Sequence, residues 1–285
     1  MTQQKPSLDT LRQQIDDLDA QIHDALMRRA ALAPQIAAAK GGLNGALAMR
    51  PGREAVLLRE RLARHQGPMP PAVIARIWRE IVNGLTALQS PFSIAVCAPE
   101  KSVGYWDLAR NHFGAAAPMR LHRSAMVVLE AVSQQPRTLG LLPLPMDGEQ
   151  EPWWTGFGTA QESERAHIIW KLPFFTSESG QFEDLTAFVI AHAAPEATGD
   201  DVTVLTLETD LDTSRARIGD RMADEGLSTQ FVAIREDSFA GTRTLLAEVD
   251  GFLTADDERL ERAVAALGDQ PARLAILGAY PRPLS

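Results

Sequence analysis

Apolar residues recur at Leu8, Leu11, Ile15, Leu18, Ile22 and Leu26 and continue through Leu32 and Ile36. A spacing of three and four places them on one stripe of an amphipathic α-helix. Ser7 is suited to cap that helix, because its hydroxyl can accept from a free N–H of the first turn. Within and just after the helix stand Arg12, Arg29, Lys40 and Arg53, a set that suits a pocket for a small dicarboxylate. Arg29 and Lys40 lie eleven residues apart, on one face of a straight helix and about 16 Å apart along it. Arg12 precedes Arg29 by about 26 Å on the same axis, too far to reach the same ligand within one chain. A second copy packed antiparallel would bring its own Arg12 to the Arg29–Lys40 pocket, so the geometry favours a dimer with shared sites. Basic residues usually line solvated helix faces or pair with acids one turn away, and Pro34 removes a backbone bond and can kink the axis.

Composition narrows the field. The 285 residues suffice for two or three domains, and 45% hydrophobic with 23% charged residues is ordinary for a globular protein. A net charge of −9 argues against general nucleic-acid binding. The charge is unevenly split: residues 1–90 hold 12 Lys/Arg against 8 Asp/Glu, while residues 91–285 hold 16 against 29. An anionic ligand therefore belongs to the front of the chain. Cys97 is the single cysteine, which leaves no intramolecular disulfide. The six histidines show no paired-ligand spacing, so no metal is expected. The first 20 residues lack a signal-peptide core and no apolar run reaches membrane-spanning length. A soluble cytoplasmic protein with no membrane partner is expected.

Along the chain, a long helix from residue 7 gives way to a glycine-containing break, GGLNGALAMRPG. A second helix is predicted from about 52 to 65, then a GPMPP turn and a third helix from about 71 to 89. Ser90-Pro91 ends this module. From Phe92 strands and helices alternate, as in α/β layers: FSIAVCAP as a buried strand, helices over 104–113 and 124–134, and TLGLLPLP as a strand. Pro195 to Asp201 forms a linker. VTVLTLET, SRARIGDRMADEG, STQFVAIRED, LLAEVDGFL, ADDERLERAVAALG and LAILGAY then follow in βαββαβ order, the ferredoxin-like plan.

The segment LRQQIDDLDAQIHDALMRRAALAPQIAAAK, with RPGRE and GPMPPAVIARIWREIVNGLTALQ after it, resembles the all-helical, intertwined-dimer chorismate mutases over nearly all of residues 7–90. The resemblance implies conversion of chorismate to prephenate by a [3,3] rearrangement, within aromatic amino-acid (phenylalanine and tyrosine) biosynthesis, with no cofactor. Such an enzyme holds the diaxial conformer and stabilises charge on the breaking ether oxygen, a task for preorganised donors and cations. By the same resemblance, Arg12 of a partner chain and Arg29 bind the two substrate carboxylates. Lys40 contacts the ether oxygen and a carboxylate, and Gln89 donates to that oxygen from the opposite side. Glu54 binds the substrate hydroxyl, with Arg53 as the basic residue beside it. Lys40 and Gln89 are thus the expected catalytic pair. Two positions depart from the family: Leu85 stands where it often has serine, and Arg50 where some members carry an acid.

The rest of the chain resembles the dehydratase and regulatory portions of the bifunctional chorismate mutase–prephenate dehydratases. IAVCAPEKSVGYWDLARNHFG, TLGLLPLPMDGE and DLTAFVIAHAAP match in order, and LAILGAYPRPL matches the close of the ACT domain. The implied architecture is multidomain α and α/β. It comprises an N-terminal all-α intertwined-dimer domain over 1–90, an α/β periplasmic-binding-like region over 91–195, and a ferredoxin-like ACT-type βαββαβ domain over 196–285. The functional positions diverge. Lys101 replaces a glycine of the first turn, Pro145, Met146 and Asp147 stand for Glu-Asn-Ser, and Ala187 replaces the arginine that would hold a substrate carboxylate. Thr186 then reduces to an ordinary strand threonine. TSRARI and AIRED stand in place of the phenylalanine-binding motifs. The expected chemistry is therefore that of a chorismate mutase whose dehydratase activity is lost. The alternatives are a non-catalytic sensor of an aromatic-pathway metabolite and a working bifunctional enzyme. Trp153, Trp154 and Trp170 are expected to pack a core or an interface, and Arg215, Arg217 and Arg221 to form a solvated face.

Overall fold

The computed structural model describes residues 6–39, 46–99, 104–157, 166–176, 185–267 and 272–284. The front of the chain is helical: α1 (Leu8–Ala31), α2 (Ala33–Ala39), α3 (Pro51–Ala63) and α4 (Pro71–Gln89). Ser7 caps α1 as its chemistry requires, its Oγ accepting from the Thr10 N–H at 3.2 Å. Helices α3 and α4 both open on proline, whose fixed φ and missing donor suit a first helical turn.

The helix is interrupted at Leu32, so the chain from Leu8 to Ala39 is two helices, α1 and α2, in place of one straight axis. Pro34 has no N–H to offer the carbonyl of Ala30 and its ring crowds that turn, which breaks the ladder at this point. Lys40 itself lies outside the described residues.

The apolar stripe of α1 is present but uncovered. Leu8, Leu11, Ile15, Leu18 and Ile22 are each 42–61% exposed, and α1 contains no buried residue. By contrast, α3 and α4 bury Ala55, Leu58 and Ala75 against Phe92, Ile94, Leu139 and Trp170, so they share one core with the sheet behind them.

That sheet has nine strands: β1 (Ser93–Cys97), β2 (Met119–His122), β3 (Thr138–Pro143), β4 (His167–Leu172), β5 (Ala187–Ala191), β6 (Asp201–Asp210), β7 (Thr229–Asp237), β8 (Thr242–Asp250) and β9 (Arg273–Pro281). Their spatial order is β2-β1-β3-β5-β4-β9-β6-β8-β7. Strand β1 is parallel to β2 and β3, while β3, β5 and β4 run antiparallel in turn. Helix α5 (Gly104–Phe113) packs with α3 and α4, and α6 (Ala125–Gln134) lies in a second core with Trp153 and Trp154. The last six elements, with α7 (Arg215–Asp224) and α8 (Glu258–Ala265), follow in βαββαβ order, their strands antiparallel and ordered β9-β6-β8-β7.

The two halves of the sheet meet where Ile168 of β4 faces Gly278 of β9. Gly278 has φ +152°, and a methyl group there would overlap the Ile168 backbone, so only glycine permits this seam. The stretch 195–200 is an ordered strap. The Asp201 carboxylate accepts from the N–H groups of Thr198 (2.7 Å) and Gly199 (3.1 Å) and from the Thr198 hydroxyl (2.6 Å). Arg59 of α3 donates to Thr198 Oγ1 and to the carbonyls of Asp200 and Arg282, which fastens the helical module to this strap.

Trp153, Trp154 and Trp170 are buried, as expected of packing residues, and Arg215, Arg217 and Arg221 are exposed. Among the described residues no helix is long and apolar enough to cross a membrane.

Candidate active site

A cavity of about 500 Å³ opens between the end of α1, α2, the segment before α3, and the inner faces of α3 and α4. Each wall follows from helix periodicity. Glu54 and Leu57 lie three apart on α3, and Val82, Leu85, Thr86 and Gln89 recur at three and four on α4, so each set forms one face. Arg29 enters from the last turn of α1, and Leu32, Ala33 and Ile36 close the side near α2. Ala48 and Arg50 come from the segment leading into α3.

Arg29, Arg53, Glu54 and Gln89, four of the six residues expected at the site, line this one cavity. Arg12 does not. It sits near the start of α1 with its side chain 67% exposed, 3.6 Å from Asp9. Since α1 is unbroken from Leu8 to Ala31, the separation of about 26 Å between Arg12 and Arg29 stands. Lys40 falls outside the described residues.

The cavity is electropositive. Burial lowers the pKa of Arg29, and repulsion from its charged neighbours Arg53 and Arg61 adds to that shift. Its guanidinium lies 6.0 Å from the centre of the Trp78 ring, with Arg61 at 5.3 Å from the same ring. Among the described residues neither Arg29 nor Arg53 has an acidic partner within ion-pair distance. Cations gathered without counter-charge form a site for an anion. Glu54, in the same wall, is the exception in sign. Burial pushes its carboxyl up to about 7, against the opposing pull of Arg79 and of the Arg50 backbone N–H. Near neutral pH it therefore exists in both forms, one a donor and one an acceptor. Gln89 holds its amide near the helix through a 3.4 Å donation to the Leu85 carbonyl.

Sequence reasoning treated Arg50 only as a departure from a pattern, yet it lines the cavity and is held by a distant acid. Its Nε and Nη2 both reach Glu196 Oε1, at 2.8 and 2.6 Å. Leu57, Val82 and Thr86 were also overlooked; their spacing from Glu54 and Gln89 could have revealed them.

In the α/β region, the divergent motif positions have structural partners. Asp147 accepts from the Ile234 N–H at 2.8 Å and lies 3.6 Å from Arg215. Ala187 is fully buried in β5 between Pro143 and Leu172, and Thr186 precedes that strand, its carbonyl accepting from Leu144. Lys101 is outside the described residues.

Residues 11–90 match the family model "Chorismate mutase type II". The chain is 34% identical over 111 residues to a bifunctional chorismate mutase/prephenate dehydratase of Stutzerimonas stutzeri, a match covering 38% of this chain and 30% of that protein. It is 37% identical over 106 residues to one of Neisseria gonorrhoeae, covering 37% and 28%. The chain thus spans less than a third of the length of these relatives. Among solved structures, prephenate dehydratase from Streptococcus mutans aligns at 15% identity and a TM-score of 0.45, covering 68% of this chain and all of that one. With the family match falling on the helices that build the cavity, residues 11–90 are a chorismate mutase type II domain.

Proposed function

We propose that this chain is a chorismate mutase that rearranges chorismate to prephenate, within aromatic amino-acid biosynthesis in the cytoplasm. The observation that carries the reading is the convergence of Arg29, Arg53, Glu54 and Gln89 on one cavity of about 500 Å³, inside the matched domain. The cations without acidic partners suit a dianion, and Glu54 suits its hydroxyl. Arg29 takes one carboxylate, while Gln89 and Lys40 approach the ether oxygen from opposite sides. The rearrangement is unimolecular, so the residues' work is to select the compact conformer and to meet charge growing on that oxygen.

The site is shared between two chains in this reading. Arg12 is far from its own chain's cavity, and the exposed stripe from Leu8 to Ile22 is the face a second α1 would cover. A homodimer would supply Arg12 across its interface.

We also infer three domains: the helical one over 1–90, a degenerate dehydratase-like α/β unit over 91–195 and an ACT-like unit over 196–285. Burial of Ala187 where a ligand-binding arginine would stand, and engagement of Asp147 with the edge of β7, support loss of dehydratase chemistry. Leu85, an apolar residue on the cavity wall, favours a second reading, a protein that binds a pathway metabolite without turnover.

One assay separates the readings. Purified protein is given chorismate while chorismate, prephenate and phenylpyruvate are followed together. Prephenate alone is the expected product. Binding without consumption of chorismate supports the sensor, and phenylpyruvate would mean a working bifunctional enzyme.

A further inference from the structure

The flank of α4 beside the cavity wall carries Arg79 and Asn83 into the junction with the α/β region. Arg79 is 9% exposed, and no acid bonds to it among the described residues. Its Nη1 lies 2.6 Å from His112 Nδ1 on α5, and its guanidinium lies over the rings of Phe174 (5.1 Å) and Trp170 (5.9 Å). An arginine is always charged and can only donate, so the His112 nitrogen facing it must accept, and the imidazole is neutral. Burial and the adjacent cation both push His112 well below its ordinary pKa. Asn83 completes the clamp, its Nδ2 donating to the carbonyls of Arg79 and His112.

Three buried polar atoms here have no hydrogen-bond partner among the described residues: Arg79 Nη2, Asn83 Oδ1 and Trp170 Nε1. All three residues line, with Glu54, a space of about 10 Å³, which is room for a single water molecule. Two donors, one amide acceptor and a carboxyl are a full set of partners for such a water. Glu54 also lines the large cavity, so it forms the wall between the two spaces.

We propose that the α/β region positions the charge behind the mutase-site acid: Arg79, clamped by His112, Trp170 and Phe174, is a positioning residue for Glu54, acting through one water molecule in the space they share. The proposal rests on Glu54 being a substrate contact. The other charged groups on the walls that Glu54 shares are Arg29, Arg50 and Arg53, the last its neighbour on α3. Those three belong to the helical module, whereas Arg79 owes its place to residues of the rear region. The appended region is then part of how the mutase works, whatever chemistry it has lost.

The test is the pH dependence of kcat/KM for chorismate in the full-length chain and in Arg79→Met, Arg79→Lys and Trp170→Phe. Loss of the Arg79 charge leaves the Glu54 carboxylate less stabilised, so the limb that reports Glu54 should move to higher pH. We expect about one pH unit in Arg79→Met, a tenfold change in proton concentration, and less in Arg79→Lys. Trp170→Phe keeps an aromatic face beside the guanidinium but removes the indole N–H together with one of its two rings, and should move the limb in the same direction by a smaller amount. Reduced activity with an unmoved limb in these variants would overturn the proposal. Should Arg79→Met fail to fold, Arg79→Lys and Trp170→Phe carry the test. The same titration read by ¹³C NMR of glutamate-labelled protein, with the Glu54 signal assigned by its loss in Glu54→Gln, needs no turnover. An inactive wild type whose Glu54 titration still shifts with Arg79 would refute the mutase reading and keep the coupling.

Discussion

Replacing Glu54 by glutamine should stabilise the protein in a pH-dependent way whose size follows from its place in the cavity wall. The carboxyl titrates at about 7 in the fold against an ordinary 4.5. Below 4.5 both folded and unfolded forms are protonated and the residue contributes nothing. Between 4.5 and 7 the unfolded chain gives up its proton first, so stability falls as pH rises, and above 7 the full cost of ionising a buried acid is present. At about 1.36 kcal/mol per pH unit, the wild type should lose about 2.5 kcal/mol relative to Glu54→Gln between pH 5 and pH 8.5. Urea denaturation of both proteins at the two pH values measures this directly, because every other titrating group is common to the pair. A stability difference between the two proteins that is the same at pH 5 and pH 8.5 would refute the burial of Glu54 as described.

His112 should act with the opposite sign. Its folded pKa lies well below 6.5, so the unfolded chain takes up a proton first as pH falls, and stability is lost below about pH 6.5 with a slope of about 1.4 kcal/mol per pH unit; His112→Gln should flatten that slope in acid denaturation profiles. Leu85→Ser restores a polar contact to the cavity wall and should raise kcat/KM by a factor of about five, the worth of one hydrogen bond near 1 kcal/mol; a lower value would show that the wall needs an apolar residue there. Charges placed on the exposed stripe, as in Ile15→Glu with Leu18→Glu, should convert a dimer to monomers in sedimentation equilibrium and abolish turnover with it, while a dimer that survives them must use another face.

Much of the fold was legible in local pattern. The stripe from Leu8 to Ile22, the prolines opening α3 and α4, and the alternation in VTVLTLET each follow from a periodicity that neighbouring residues fix. Strand β2 escaped because MRLH is short and lies at the sheet edge, where two of its four side chains face solvent. The meeting of β4 with β9 escaped because one glycine decides it, through a contact between residues 110 positions apart. Arg29, Arg53, Glu54 and Gln89, which line the cavity, were singled out by resemblance, whereas the single straight helix assumed across Pro34 is interrupted at Leu32. The clamp around Arg79 was the least legible feature. An arginine on an amphipathic helix looks solvated, and only the packing of α5 and β4 makes it buried.

The most direct test of a site shared between chains is complementation between two inactive variants. Arg12→Ala and Arg29→Ala should each lack mutase activity as homodimers. Refolded together, they form mixed dimers in which one site carries both lesions and the other carries none. About a quarter of all sites should then be intact at equal mixing of a two-fold dimer, and chorismate turnover should recover to about that fraction of the wild type. No recovery from properly mixed dimers, or full activity in Arg12→Ala alone, would contradict a mutase site built from both chains.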